Sequence, residues 1–179
     1  MRTRRPGFQH HHILPVSLLN RPQIGGFLGE LRGHGFTLAD RQRNCLWLPS
    51  VEAIALANGH ALHRGPHPHY TDVVAARVER LRGRAGRGDL DQPATIARLA
   101  RLQNAMTRVL TGHGPRLLTL NRHDPLRLFA DYAALDDAIT RMLAVPAAEK
   151  ALPLTASAAG KGDRQQNPYR RRILADSAS

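Results

Sequence analysis

The chain has one cysteine and no long apolar run, and these two shortages exclude several classes of protein. Cys45 is the single cysteine, which excludes a disulfide framework and a zinc cluster made of thiolates. Any metal site must therefore use histidine, aspartate, glutamate or water. No stretch approaches the roughly 18 consecutive apolar residues of a membrane span, so the sequence predicts no membrane partner.

A secretion signal is also missing from the beginning of the chain. The first nine residues, MRTRRPGFQ, are basic, but no apolar stretch of the kind found in signal peptides follows them. We therefore expect a cytoplasmic protein, or one that is exported by a secretion system that needs no cleavable signal peptide.

Acidic residues are scarce relative to basic ones. The 179 residues include 26 Lys and Arg against 14 Asp and Glu, giving a formal net charge of +12. Only Lys150 and Lys161 are lysines, and a genome rich in arginine codons would explain that preference. It would not explain the excess of basic over acidic residues. Because neutralising phosphates releases counterions, the excess favours a polyanionic partner, nucleic acid above all.

The first half of the chain has the pattern strand, insertion, strand, helix. Residues 8–15 and 45–48 are short apolar runs bounded by turn formers, which favour two strands of a hairpin. The segment SLLNRPQIGGFLGELRGHGF between them predicts short helical pieces broken by glycines. The segment PHYTDVVAARVERLRGR predicts a helix whose apolar face is formed by Val74, Val78 and Leu81.

Two amphipathic helices are predicted in the second half. The first has an apolar stripe and ends near Gly112; the second begins at Asp124-Pro125. The two stripes are ordinary core faces made of Ile96, Leu99, Leu102, Met106 and Val109, and of Leu128, Tyr132, Leu135, Ile139 and Met142. From Pro146 the chain is rich in Ala, Ser and Gly, ends in a basic YRRR cluster, and is expected to be flexible.

Histidines are concentrated in two clusters before Tyr70. HHHILP begins with His10 to His12, too few for a purification tag; they are either polar residues on an exposed strand or part of a metal site. The second cluster, LHRGPHPHY, places His63 and His67 four residues apart, close enough for both to bind one ion. Its glycine and prolines argue against a regular helix through the whole cluster, so we expect His63 in the loop that approaches the next helix and His67 in the first turn of that helix. One histidine of the first cluster would complete three nitrogen ligands with open positions, a pattern typical of catalytic sites, although surface histidines are common.

Three segments together resemble a known family. HHHILPVSL, RNCLWLP and LHRGPHPHYTDVV, in this order, are similar to the AHH family of the HNH nuclease superfamily, over about residues 8–82. Three positions depart from the family pattern, with His10 in place of alanine, Cys45 in place of glycine and Pro66 in place of serine. None of these departures removes an expected ligand or base.

The resemblance implies a ββα-metal fold in which a hairpin and a helix hold one divalent ion. Aligning on the Ile-x-Pro that follows the histidines places His11 and His12 at the family's histidine pair and makes His10 a bystander. His11, His63 and His67 would then be the metal ligands, and His12 the general base that activates water. Because adjacent strand residues point to opposite faces, this assignment requires a twist or a bulge at His11-His12.

The same resemblance assigns two further residues. Asn44 would brace the hairpin loop and help to orient the base. Arg64 would contact phosphate, although a merely solvated arginine fits this position equally well. His69 is expected at the surface or just behind the ligands, and His60 is left undecided. Ordinary solvated or capping roles are expected for His34, His113 and His123.

The sequence thus predicts a mostly helical α+β protein with a ββα-metal (HNH-like) core, a helical insertion between the strands and a C-terminal helical extension. The domains would be residues 1–88 for the nuclease, 89–145 for the helical extension and 146–179 for the basic tail.

The function implied is a metal-dependent endonuclease with little sequence specificity. DNA is favoured over RNA as its substrate. The ion would be zinc or nickel, which suit imidazole ligands, or magnesium. Many proteins with this domain look like bacterial toxins held in check by an immunity protein, here an acidic one. The alternatives are a non-catalytic DNA-binding module stapled by the metal, and a metal-binding protein with no role in nucleic-acid chemistry.

Overall fold

A computed structural model describes residues 5–113, 119–121 and 129–144. The elements, in chain order, are β1 (Phe8–His12), a 3-10 helix (Val16–Asn20), α1 (Pro22–Arg32), α2 (Arg41–Asn44), β2 (Cys45–Pro49), α3 (Glu52–Asn58), β3 (Leu62–Arg64), α4 (Pro68–Gly86), α5 (Gln92–Arg108), a π-helical turn (Val109–His113), β4 (Thr119–Asn121) and α6 (Phe129–Ala144). Helix dominates and the strands are short, so the predicted α+β, mostly helical class is confirmed.

Strands β1 and β2 form the predicted antiparallel hairpin. Their pairing runs without interruption from Phe8 opposite Pro49 to His12 opposite Cys45. Strand β1 is shorter than predicted, because it ends at His12 and not at Pro15. The continuous register leaves no bulge at His11-His12.

The insertion between the strands differs from the prediction of helical pieces broken by glycines. Helix α1 continues through its glycines, and its residues Ile24, Phe27, Leu28 and Leu31 are buried. Burial of this apolar face outweighs the cost of about 1 kcal/mol for each glycine relative to alanine. Gly25 has a packing role as well, since a Cβ there would lie 2.4 Å from the carbonyl oxygen of Leu19.

One hydrophobic cluster joins the hairpin to the later helices. It contains Ile13 and Leu14 from the segment after β1, Val74 and Val78 of α4, and Met106 of α5. The predicted helix at residues 68–84 is confirmed as α4, and Leu81 is partly buried on its core face. No described helix is long and apolar enough to cross a membrane.

The two amphipathic helices are confirmed as α5 and α6, whose apolar stripes face this cluster. Asp91 caps the start of α5 by accepting a hydrogen bond from the N–H of Ala94. Gly112 has a φ of +99°, as expected for a residue that ends a helix. Several predictions fall outside the described residues. They concern the cap Asp124-Pro125, Leu128, His123, the tail from Pro146, and the side chains of Tyr132 and His113. The domain boundaries stay a prediction.

Candidate active site

The structure brings the three predicted metal ligands together. His11 comes from β1, His63 from β3, and His67 directly precedes α4. One ring nitrogen of each lies within 4.8 Å of the others, and the ring centroids are 4.8 to 5.1 Å apart. His63 lies on a strand and not in the predicted approach loop, because Leu62–Arg64 pairs in parallel with Thr119–Asn121, far outside the histidine motif.

A tight connection between β3 and α4 places His63 and His67 at one point. Gly65 has a φ of +84°, a left-handed conformation that costs a residue with a side chain about 1–2 kcal/mol. Pro68 occupies the first turn of α4, where its missing N–H costs nothing, and it disfavours a helical conformation at His67. The glycine and the proline thus fix the turn from strand to helix.

Several nitrogens of the triad are buried without a hydrogen bond. Among the described residues, no partner reaches Nδ1 or Nε2 of His11, or Nδ1 of His67. Leaving a buried polar atom unsatisfied costs about 1–3 kcal/mol. A divalent ion bound by these imidazoles would offset that cost, and nitrogen donors suit zinc and nickel well. The residues therefore fit a resident metal ion.

Burial keeps the three candidate ligands in the protonation state that can bind a metal ion. Desolvation lowers the pKa of His11 well below its ordinary value, and repulsion from His67, His63 and His12 in their protonated forms lowers it further. Desolvation and, to a lesser extent, His67 lower the pKa of His63 to about 4. Burial also lowers the pKa of His67. All three rings are neutral at pH 7, as metal ligation requires.

Two residues that the sequence analysis missed contact the candidate ligands. Oε1 of Gln9 lies 3.0 Å from Nδ1 of His63, and such a partner orients the ring of a ligand. Tyr70 is fully buried behind the triad, with its ring 4.9 Å from that of His11. Its hydroxyl donates to the carbonyl oxygen of Ile13 at 2.7 Å. Tyr70 ends the LHRGPHPHY motif, so the sequence did contain a pointer to it.

His12 lies beside the triad without belonging to it. It is partly buried and, together with His11, lines one cleft of about 670 Å³. The pairing of β1 with β2 is continuous, so no bulge brings them there, and His11 and His12 line the cleft as the last two residues of β1. Desolvation and the charge of Arg41 lower the pKa of His12. Its ring is therefore neutral at pH 7 and able to accept a proton.

Asn44 is hydrogen-bonded to the segment that follows His12. Its side chain accepts a hydrogen bond from the N–H of Leu14 at 2.8 Å and donates to the carbonyl oxygens of Leu14 and Leu38 at 2.9 and 3.0 Å. Gln103 of α5, which the sequence analysis also missed, donates to Oδ1 of Asn44 at 3.1 Å. Asn44 is fully buried and acts on the backbone next to His12.

Replacing Asn44 with alanine is expected to destabilise the fold strongly. The substitution leaves Leu14, Leu38 and Gln103 with unsatisfied buried polar groups, each worth about 1–3 kcal/mol, so we expect a loss of at least about 3 kcal/mol. Denaturant unfolding measures it, with Gln42→Ala, an exposed change in the same turn, as the control. A loss below about 1 kcal/mol, no more than one ordinary hydrogen bond, would show that Asn44 is not the brace.

Arg64 is not brought to the cleft. It follows His63 on β3 and points to the opposite face. Its Nε donates to the carbonyl oxygen of Ser50 at 3.3 Å, and its guanidinium lies 3.9 Å from the carboxylate of Glu52. The predicted phosphate contact gains no support from this position. Arg21, which the sequence analysis did not single out, lines the cleft.

The other histidines lie outside the triad. The ring of His10 packs on Trp47, its partner across the hairpin, with centroids 3.7 Å apart. His34 is exposed, and His69 is partly buried in the first turn of α4. His60 lies between α3 and β3.

Comparison with known proteins agrees with this geometry. The model of AHH, described as a nuclease family of the HNH/ENDO VII superfamily with conserved AHH, matches residues 1–106. This range is more than half of the chain, and it extends beyond the predicted boundary at residue 88 into α5. No curated protein and no solved structure matches the chain. The chain belongs to the AHH nuclease family of the HNH/ENDO VII superfamily.

Proposed function

We propose that this nuclease-family chain is a metal-dependent endonuclease that hydrolyses phosphodiester bonds with little sequence specificity. The observation that carries the proposal is the convergence of His11, His63 and His67 beside a fourth imidazole, His12, on one cleft. A divalent ion held by the three would stabilise negative charge on the phosphoryl and leaving oxygens.

The protein's own groups account for the proton transfer. His12 is neutral at pH 7 and lies in the cleft, so it can take the proton of a water molecule that attacks phosphorus. Asn44 fixes the backbone that follows His12. Gln9 and Tyr70 keep the neighbouring rings in place. Base and ligands are thus within reach of a single phosphodiester.

The proposed substrate is DNA rather than RNA, and the proposed ion is zinc, nickel or magnesium. The net charge of +12 suits a polyanion, and the sequence carries no recognised module for reading base edges, which argues for weak sequence specificity. We also propose a bacterial toxin role with an acidic immunity protein as partner, since opposite charge speeds and strengthens such association. The protein would act in the cytoplasm, or after export without a signal peptide.

Plasmid digestion tests the proposed activity. The full-length protein is incubated with supercoiled DNA and, in parallel, with RNA, in magnesium, manganese, zinc, nickel or chelator. Nicked and then linear DNA is expected with at least one ion and not in chelator, with ends scattered over the plasmid. A folded protein that binds DNA but cleaves it with none of the ions would instead be the metal-stapled DNA-binding module.

A further inference from the structure

An arginine–aspartate pair lines the cleft next to the histidines. Arg21, between the 3-10 helix and α1, forms an ion pair with Asp72 in the first turns of α4. Both side chains are about half exposed and line the same cleft as His11, His12 and His67. Arg21 and the histidines therefore face the same space, which has a volume of about 670 Å³.

The backbone at Arg21 is rigidly held. Pro22 follows it, which favours an extended conformation at Arg21, and its φ and ψ are −92° and 111°. Its N–H donates to the carbonyl oxygen of Leu18 at 3.1 Å, and its own carbonyl accepts from the N–H of Gly25 at 2.7 Å. Gly25 in turn packs directly on Leu19, where a Cβ would not fit. The side chain of Arg21 therefore extends from an ordered turn whose backbone is held by hydrogen bonds and packing.

We propose that Arg21 binds the phosphate of the nucleic-acid substrate and that Asp72 positions its guanidinium. Arginine carries five N–H donors in a planar fork that suits phosphate, and a contact to Asp72 leaves donors for a second oxyanion. The pair is too exposed to contribute much to stability, so anchoring the fold does not explain its position. This inference rests on the proposed nuclease function.

Arg64 and Arg21 differ in whether the fold places them at the cleft. Arg64 lies next to a metal ligand in sequence, yet its side chain contacts Ser50 and Glu52 away from the cleft. Arg21 is 42 residues from His63 along the chain, and the fold brings it to the cleft wall. The structure therefore assigns the phosphate contact to Arg21.

DNA binding by the full-length protein in a His12→Ala background tests this assignment. Affinity for a short duplex is measured with zinc present, from about 50 to 200 mM salt. Arg21→Ala should weaken binding about 10- to 100-fold, the worth of a charge-assisted contact, and lower the salt slope by about 0.9. Arg21→Lys should keep the slope and lose less affinity, because the charge remains without the fork.

Arg87→Ala is the matched control. Arg87 forms a similar exposed pair with Asp89, 3.1 Å apart, about 22 Å further along α4 than Asp72. The substitution removes the same charge and should leave affinity and slope close to those of the parent. In the protein with His12 intact, Arg21→Ala should raise KM more than it lowers kcat.

The outcomes separate this inference from the nuclease proposal. Arg21→Ala with the parent's affinity and slope would overturn the inference, and so would an equal loss in Arg87→Ala, whether or not the wild type cleaves DNA. A clear loss of DNA affinity in Arg21→Ala alone would support the inference even if the wild type cleaved no nucleic acid. The absence of cleavage would contradict the proposed activity instead. If Arg21→Ala does not fold, Arg21→Gln, which keeps an aliphatic stem and a polar end without charge, takes its place.

Discussion

Alanine at His11, at His63 or at His67 is expected to remove metal binding and DNA cleavage together. Each ring supplies one of three nitrogens that lie within 4.8 Å of one another, so losing any one leaves two. Loss of a residue that merely orients a ligand costs about 10- to 100-fold in metal affinity, and losing a ligand itself should cost more. Calorimetric titration with zinc and plasmid nicking measure the two effects on the same samples.

Two further variants give an intermediate effect and a control for the loss of metal binding. Gln9→Ala removes the hydrogen bond to Nδ1 of His63 and should give the intermediate loss of about 10- to 100-fold. His34→Ala, an exposed histidine in the loop after α1, should leave both measurements unchanged. Wild-type zinc affinity in all three ligand variants would refute the assignment, and equal losses in His34→Ala would point to general instability.

The parts of the fold that follow from local pattern could be predicted from the sequence. The paired apolar runs specify β1 and β2, and the apolar stripe with Val74 and Val78 specifies α4. The candidate ligand histidines lie in motifs whose spacing already brings His63 close to His67. His11 and Asn44 could be assigned to the site only through the resemblance to the family. They come together only because β1 pairs with β2 across a long insertion, and local pattern does not reveal that pairing.

The missed features depend on contacts between segments that are distant in sequence. His63 looked like a loop residue because β3 is only three residues long and exists by pairing with β4, more than 50 residues later. The same pairing decides that Arg64 faces away from the cleft. Helix α1 runs through its glycines because its apolar face is buried and Gly25 fits against Leu19. Local propensity carries no information about such packing.

His12→Ala is expected to keep the metal ion and the fold while losing cleavage. The three nitrogens of the triad remain, and His12 is not among them. Its ring is only partly buried at the end of β1, so its removal disturbs little packing. Loss of a general base lowers the rate about 10²–10⁴-fold, which is enough to make cleavage undetectable in a plasmid assay. Metal content, melting temperature and cleavage rate are compared at matched protein concentration.

The controls for His12 decide between a base, a ligand and a bystander. His10→Ala, the neighbouring residue whose ring packs on Trp47, should cleave like the wild type. Added imidazole should restore part of the rate in His12→Ala, because a small base can enter the open cleft that His12 lines. Full cleavage in His12→Ala would exclude it as the base and make His10 the first candidate. Loss of metal and fold together would instead make His12 a ligand, and the site would then hold the hairpin and helix together without a catalytic base beside it.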